Sequence, residues 1–113
     1  MKYSQPFLGK IVEVKVDRQL GTKHPKNDMI YPINYGFIPG TLAHDGAELV
    51  AYILGIDEPV QEFKGRCIAL IHRTDDDDDK LIVCEEGKSY TDEEIRELTL
   101  FQEQWFESET IRP

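Results

Sequence analysis

Aromatic and acidic residues that could contact an oxyanion are concentrated in one stretch, Tyr31–Leu49, which reads YPINYGFIPGTLAHDGAEL. The hydroxyls of Tyr31 and Tyr35 can donate to a phosphate or to a metal-bound water. The turn that Gly46 favours presents the carboxylate of Asp45. Each feature also has an ordinary structural explanation, since tyrosines border many cores and Asp-Gly is common in turns. The stretch therefore predicts an anion or metal site only together with charges elsewhere.

A run of five aspartates, Asp75–Asp79, followed by Lys80, supplies such charges. Neighbouring carboxylates repel one another, and a loop fixed between strands cannot separate them as a disordered tail can. A divalent cation relieves the repulsion, and Mg²⁺ uses one or two carboxylates together with waters and substrate oxygens. A solvated turn is the alternative interpretation of the run.

The overall charge limits the classes of partner. With 13 basic against 22 acidic residues, the net charge is −9. A nucleic-acid backbone requires a basic face, so we expect no such partner, and an anionic substrate would need bound cations. The apolar runs are shorter than the ~20 residues of a membrane span, and the N-terminus has no signal-peptide pattern. We therefore expect a cytoplasmic protein in which Cys67 and Cys84 are buried thiols, a disulfide or metal pair being the alternative.

One local positive cluster interrupts the acidic chain. Lys23, His24 and Lys26 lie in the segment 19–28, whose Gly, Pro, Asn and Asp residues predict a loop. The cluster could capture an anion opposite the acidic loops, or it could be an ordinary solvated loop.

Hydrophobic periodicity predicts mostly strands, followed by one late helix. Alternation indicates a strand with one apolar face at 10–18, and short apolar runs indicate others at 29–33, 49–56, 65–72 and 81–84. A capping box of Thr91 and Glu94 predicts a helix from about Asp92 to Glu107. Its apolar stripe is predicted from these residues: Ile95, Leu98, Phe101 or Gln102, and Trp105. The tail 108–113 is expected to be loose or to lie along a neighbour.

This order of elements favours a mainly β fold. We expect residues 1–113 to form a single domain, a small closed or partly closed antiparallel barrel of OB-like kind with the C-terminal helix packed on it. A β-sandwich is the alternative.

Three segments resemble soluble inorganic pyrophosphatases. The pattern Y-P-x-N-Y-G-[FY]-I is present at Tyr31–Ile38, the acidic loop ends in D-x-K-L at Asp78–Leu81, and F-x-E is present at Phe101–Glu103. The resemblance covers roughly residues 10–107. It implies a small distorted barrel that hydrolyses pyrophosphate to two phosphates with several Mg²⁺ ions, for which Mn²⁺ can substitute, and that commonly forms homo-oligomers.

The resemblance also implies roles for individual residues. Catalytic roles fall to Asp45, as a metal ligand, and to Tyr35, beside the metals. The other implied metal ligands are Asp75, Asp78 and Asp17. The implied phosphate-binding residues are Tyr31, Arg18, Lys23, Lys26 and Lys80.

The chain departs from the family at positions that matter for chemistry. Where the family has D-G-D-P-x-D, Ala47 and Val50 replace two of the acids. In the closing helix, Trp105 and Phe106 stand where the family has a tyrosine followed by a lysine. A water that lacks its base or positioning metal loses about 10²–10⁴-fold in rate. We therefore carry three hypotheses: an Mg²⁺-dependent pyrophosphatase of reduced activity, a non-catalytic relative that binds a phosphorylated ligand or a protein, and an acidic interaction module.

Overall fold

The computed structural model describes residues 2–76 and 78–113. After a short 3₁₀ helix, Gln5–Phe7, six strands and one α-helix follow in these residues. The elements in chain order are β1 (Ile11–Arg18), β2 (Asn34–Phe37), β3 (Val50–Ile53), β4 (Glu62–Arg73), β5 (Asp79–Cys84), α1 (Asp92–Glu103) and β6 (Ser108–Ile111).

Five of these strands close into a barrel. The sheet runs β1-β2-β3-β5-β4, and β1 pairs again with β4, so the ring has no free edge between them. The predicted mainly β barrel with one C-terminal helix is confirmed, and the sandwich alternative is excluded. One detail of the prediction was wrong, because β3 and β5 pair in parallel while the other strand pairs are antiparallel.

Two layers of side chains form the core. In β1 the buried and exposed residues alternate, and Val12 and Val14 face the barrel interior. All six residues of β5 are buried, since one face lies in the interior and the other under other elements. The first layer contains residues such as Leu49, Leu70 and Leu81. The second contains Tyr52, Ile71, Ile82 and Ile95 of α1.

The helix begins as predicted and ends one turn early. The Thr91 side chain accepts from the Glu94 N–H and the Glu94 carboxylate accepts from the Thr91 N–H, which completes the capping box. The expected apolar stripe was only partly correct. Ile95 is buried and Phe101 packs on the second layer, whereas Leu98 is 37% and Trp105 75% exposed. The buried positions of α1 are Ile95, Thr99 and Glu103, two of which are polar.

The tail forms β6 and lies along a neighbouring strand, which was one of the two expectations for it, since its residues pair with Leu70–Arg73 of β4. One prediction about a chain segment was wrong. The second strand begins at Asn34 instead of Met29, since Pro32 has no N–H to donate to a ladder and Ile30 makes only an isolated bridge with Lys23.

Both thiols are free and buried, as predicted. Across the residues that the structure describes, no helix has the length and apolar character of a membrane span.

Candidate phosphate and metal site

The signature tyrosines gather at the ends of β1 and β2. Arg18, the last residue of β1, is registered with Tyr35 of β2. The rings of Tyr31 and Tyr35 lie 5.6 Å apart between centroids, and the ring of His24 stacks on Tyr31 with a centroid distance of 6.1 Å. We call Arg18, His24, Tyr31 and Tyr35 the tyrosine cluster. It joins two of the predicted phosphate-binding residues to one predicted catalytic residue.

The charge state of Tyr31 suits a donor. Burial raises the pKa of its phenol, and the nearby Tyr35 raises it further. Arg18 acts in the opposite direction, because its charge and its hydrogen bond favour the ionised phenolate. The net shift is upward, so Tyr31 keeps its proton near neutral pH and can donate a hydrogen bond.

The basic loop lies beside this cluster, with its lysines in solvent. Lys23 Nζ forms an ion pair of 3.0 Å with Asp28, and both side chains are mostly exposed. The backbone N–H of Lys26 donates to Nδ1 of His24, which fixes the loop against the ring that stacks on Tyr31. Of the three basic residues, His24 is the one whose side chain has a described contact with Tyr31.

The turn that carries Asp45 has the predicted form. The Asp45 carboxylate accepts from the Ala47 N–H at 3.0 Å, and Gly46 takes a φ of 87° that favours glycine. Asp45 is exposed, and Glu48 accepts from the Gly40 N–H within the same loop. The turn thus presents one carboxylate to solvent.

The acidic loop holds its carboxylates in several different ways. Asp75 accepts from the Glu107 N–H at 3.1 Å, and Asp76 accepts from the Asp78 N–H at 3.0 Å. Asp78 forms an ion pair of 2.9 Å with Lys80, which is only 5% exposed. Asp77 lies outside the described residues. Asp75 and Asp78 therefore lie in one loop, and Lys80 follows at the start of β5.

Sequence reasoning missed the group that sits behind this loop. Arg73, at the end of β4, donates to both oxygens of Glu103 in α1, at 3.0 and 2.7 Å. Tyr52 donates to the same carboxylate at 2.6 Å, and Gln102 donates to the Tyr52 hydroxyl at 2.9 Å. A lone arginine just before an acidic run, together with the F-x-E pattern of the helix, was the available signal. We call Tyr52, Arg73 and Glu103 the buried network.

The buried network connects the two halves of the site. The rings of Tyr35 and Tyr52 lie 5.2 Å apart, so the tyrosine cluster is continuous with Tyr52 and, through Glu103, with Arg73. Val50 is registered with Lys80 in the parallel pair. The missing acid at position 50 would therefore lie next to the acidic loop.

The predicted metal ligands do not converge on one point. Within residues 2–76 and 78–113, no three His, Cys, Asp or Glu side chains are grouped closely enough to hold a metal ion. Asp17 is an exposed residue of β1, and the described contacts of Asp45 stay within its own turn. Because Mg²⁺ is often held by one or two carboxylates plus waters and substrate phosphates, these residues fit a cation that arrives with a phosphate ligand.

Comparison with known proteins identifies the relatives of this chain. The sequence model of the Pyrophosphatase family, described as inorganic pyrophosphatase, matches residues 9–110. An inorganic pyrophosphatase of Saccharolobus solfataricus is 39% identical over 80 residues, which are 67% of this chain and 44% of that protein. A soluble inorganic pyrophosphatase of Oryza sativa subsp. indica is 37% identical over 82 residues, or 68% of this chain and 36% of that protein. The chain thus spans less than half the length of these relatives.

Solved structures show the same fold. An inorganic pyrophosphatase from Ehrlichia chaffeensis superposes with a TM-score of 0.69 at 19% identity, over 90% of this chain and 85% of that one. An inorganic pyrophosphatase from Helicobacter pylori gives 0.69 at 17% identity, with coverage of 90% and 84%. Together with the match over residues 9–110, this barrel and its tyrosine motif place the chain in the inorganic pyrophosphatase family.

Proposed function

We propose that the chain binds inorganic pyrophosphate and hydrolyses it to two phosphates with Mg²⁺ as cofactor, at a rate well below that of relatives with the full set of acids. The observation that carries the proposal is the continuity of the tyrosine cluster with the acidic loop. Family membership supports the choice of substrate.

The binding half of the proposal rests on Arg18, Tyr31 and Tyr35. Arg18 contributes a permanent charge at the edge of the cluster, and the protonated phenol of Tyr31 contributes a neutral donor. In this proposal Lys23 and Lys26 approach the outer phosphate from the basic loop, where both side chains are exposed to solvent. Lys80 contributes charge from the start of β5.

The hydrolytic half needs a divalent cation. Asp75 and Asp78 would hold it from the acidic loop, and Asp45 and Asp17 are the further proposed ligands. When bound, the cation neutralises charge on the phosphates and makes a water more acidic. Mn²⁺, which also accepts carboxylate and water ligands, is the expected substitute.

The reduced rate follows from two side chains that cannot bind a metal. Ala47 follows the Asp45 turn, and Val50 lies beside Lys80. The loss of a positioned cation or base costs about 10²–10⁴-fold in rate. Glu48 does not replace them, because its carboxylate accepts from the Gly40 N–H within its own loop.

Phosphate release from pyrophosphate, with Mg²⁺, with Mn²⁺ and with chelator, tests the proposal. We expect slow, metal-dependent release of phosphate by the parent chain. The double variant Ala47→Asp/Val50→Asp should release phosphate much faster. The control is Ala47→Asn/Val50→Asn, which has similar side-chain volumes without the charge. No release above the protein-free blank, at high protein concentration with either metal, contradicts hydrolysis.

A non-catalytic phosphate-binding role is the second candidate. It is favoured by Arg73, whose guanidinium lies 3.5 Å from the carboxylates of Asp76 and Asp78. The guanidinium neutralises part of the negative charge that a bound cation would otherwise neutralise. Calorimetric binding of pyrophosphate without turnover would identify this role. If neither pyrophosphate nor metal binds, both candidates fail.

We also propose a cytoplasmic location and self-association, which family resemblance supports. Sedimentation velocity at several protein concentrations tests the second part, since a single monomeric species throughout would contradict it.

A further inference from the structure

Arg73 is a buried cation that the family resemblance does not explain. Its side chain is 6% exposed, and it lies at the end of β4 immediately before the acidic loop. Its Nε and Nη2 donate to Glu103, while Nη1 lies 3.5 Å from Oδ2 of Asp76 and 3.5 Å from Oδ2 of Asp78. The guanidinium therefore faces a buried carboxylate on one side and the acidic loop on the other.

We propose that Arg73 is a built-in counter-cation of the acidic loop, which takes the place of one divalent cation beside Asp76 and Asp78. An arginine keeps its charge at any physiological pH, so this neutralisation needs no bound ion. In this role Arg73 is a positioning residue that sets how strongly the loop attracts metals.

The surroundings hold Arg73 against displacement. The ring of Phe106 lies 3.6 Å from its guanidinium carbon, a distance typical of stacking. Burial alone would lower its pKa, but the hydrogen bonds and charge of Glu103 outweigh burial and raise it. Glu103 is itself fixed by the Tyr52 hydroxyl at 2.6 Å. A cation that approached the loop could not push this side chain aside without breaking these contacts.

Electrostatics give the consequence for metals. Asp78 already faces two cations, Lys80 at 2.9 Å and Arg73 at 3.5 Å. A divalent cation at the loop would be repelled by both of these positive charges, and the repulsion grows as the separation decreases. Since Asp76 is 39% and Asp78 23% exposed, screening reduces this repulsion strongly. We expect the remaining repulsion to weaken metal binding at the loop by about tenfold or more.

Titration with Mn²⁺ alone, followed by the loss of its free-ion electron paramagnetic resonance signal, tests the proposal. We expect R73Q to bind Mn²⁺ at least about tenfold more tightly than the parent chain. R73K keeps a cation while losing the planar fork, so it should stay close to the parent. The exposed Lys64 of the same strand provides K64Q, which changes net charge by the same amount and should leave affinity unchanged.

A second variant separates a change in metal affinity from an effect of R73Q on folding. R73Q leaves Glu103 without its ion partner, whereas R73Q/E103Q removes both charges and keeps the net charge at that of the parent. It should also bind Mn²⁺ more tightly than the parent chain, by a smaller factor than R73Q because the negative charge of Glu103 is lost as well.

Unchanged affinity in both Gln variants overturns the proposal. Equal gains in R73K and R73Q also overturn it, since loop geometry and not charge would then control binding. No pyrophosphate is present, so the result does not depend on the proposed hydrolysis.

Discussion

The hydroxyl of Ser4 donates a 2.5 Å hydrogen bond to Oδ2 of Asp79, a residue 75 positions further along the chain. The other oxygen, Oδ1, lies 2.6 Å from Nδ1 of His72. Ser4 is fully buried and Asp79 is 9% exposed. This contact fastens the segment before β1 to the start of β5, at the end of the acidic loop.

Replacement of Ser4 by alanine should therefore destabilise the fold. The variant leaves a nearly buried carboxylate oxygen without its donor, which costs about 1–3 kcal/mol in unfolding free energy. Urea denaturation measures the change. Ser89→Ala, at an exposed position after β5, is the control and should stay within about 0.5 kcal/mol. A Ser4→Ala protein as stable as that control would show that the contact contributes nothing.

Gly36, inside the tyrosine motif, should tolerate no side chain. A Cβ placed there would overlap the carbonyl oxygen of Lys15 on the neighbouring strand. We expect Gly36→Ala to cost about 3 kcal/mol, since a backbone atom cannot move aside as a flexible side chain can. Gly21→Ala provides the comparison, because Gly21 has a φ of 89° but open space around it, and strain alone costs roughly 1–2 kcal/mol. Similar melting temperatures for the two variants would contradict a steric role.

Arg18 should contribute more to pyrophosphate affinity than Lys26. Hydrogen bonds to charged groups contribute about 1.5–3 kcal/mol, which corresponds to a weakening of roughly tenfold or more in Arg18→Ala. Lys26 is exposed on its loop, and we expect only about threefold in Lys26→Ala. Lys10→Ala, at an exposed position before β1, is the calorimetric control. If Arg18→Ala bound pyrophosphate as tightly as the parent chain, the tyrosine cluster would not be part of the binding site. If Lys26→Ala did so, the basic loop would not be part of it.

Stability should fall in alkaline solution through Cys67. Burial raises the pKa of its thiol from 9.0 to about 11, so the folded chain holds this proton more tightly than the unfolded chain. The corresponding stabilisation is fully present below pH 9 and is lost as pH rises to about 11. The loss amounts to about 2–3 kcal/mol. Denaturant unfolding at intervals across this range should show a shallower decline in Cys67→Ala, and identical slopes would contradict the assignment.

Local sequence patterns were sufficient to predict the barrel and the start of the helix. The alternation in β1 and the apolar β3 and β5 follow directly from burial on one or both faces. The capping box at Thr91 depends only on residues three apart. The parallel pairing of β3 with β5 could not be predicted in this way, because it depends on how distant strands close the ring.

The errors in the helix have two physical origins. Its buried stripe includes Glu103, which the apolar pattern excludes, because Arg73 and Tyr52 satisfy the carboxylate inside the fold. Trp105 was expected on the buried stripe because it is apolar and follows Phe101 at helical spacing. It follows the end of α1, where the chain turns towards β6, and is left in solvent.

Candidate site residues could be predicted where they belong to a sequence motif. They could not be predicted where residues distant in the sequence are brought together only by the fold. The motif predicted Tyr31 and Tyr35, and the structure brings them together with Arg18. Arg73 has no local signal for its partner thirty positions away. The metal-binding roles of the aspartates remain predictions. Whether these side chains converge depends on a bound cation and phosphate, which sequence patterns do not supply.

The two thiols lie on opposite sides of the same sheet. Cys67 belongs to the barrel interior, and Cys84 belongs to the layer beneath α1. A thiol reagent would reach Cys84 when the helix detaches, but it would reach Cys67 only when the ring of strands opens. Labelling rates at the two positions would therefore report separately on the release of the helix and the opening of the barrel.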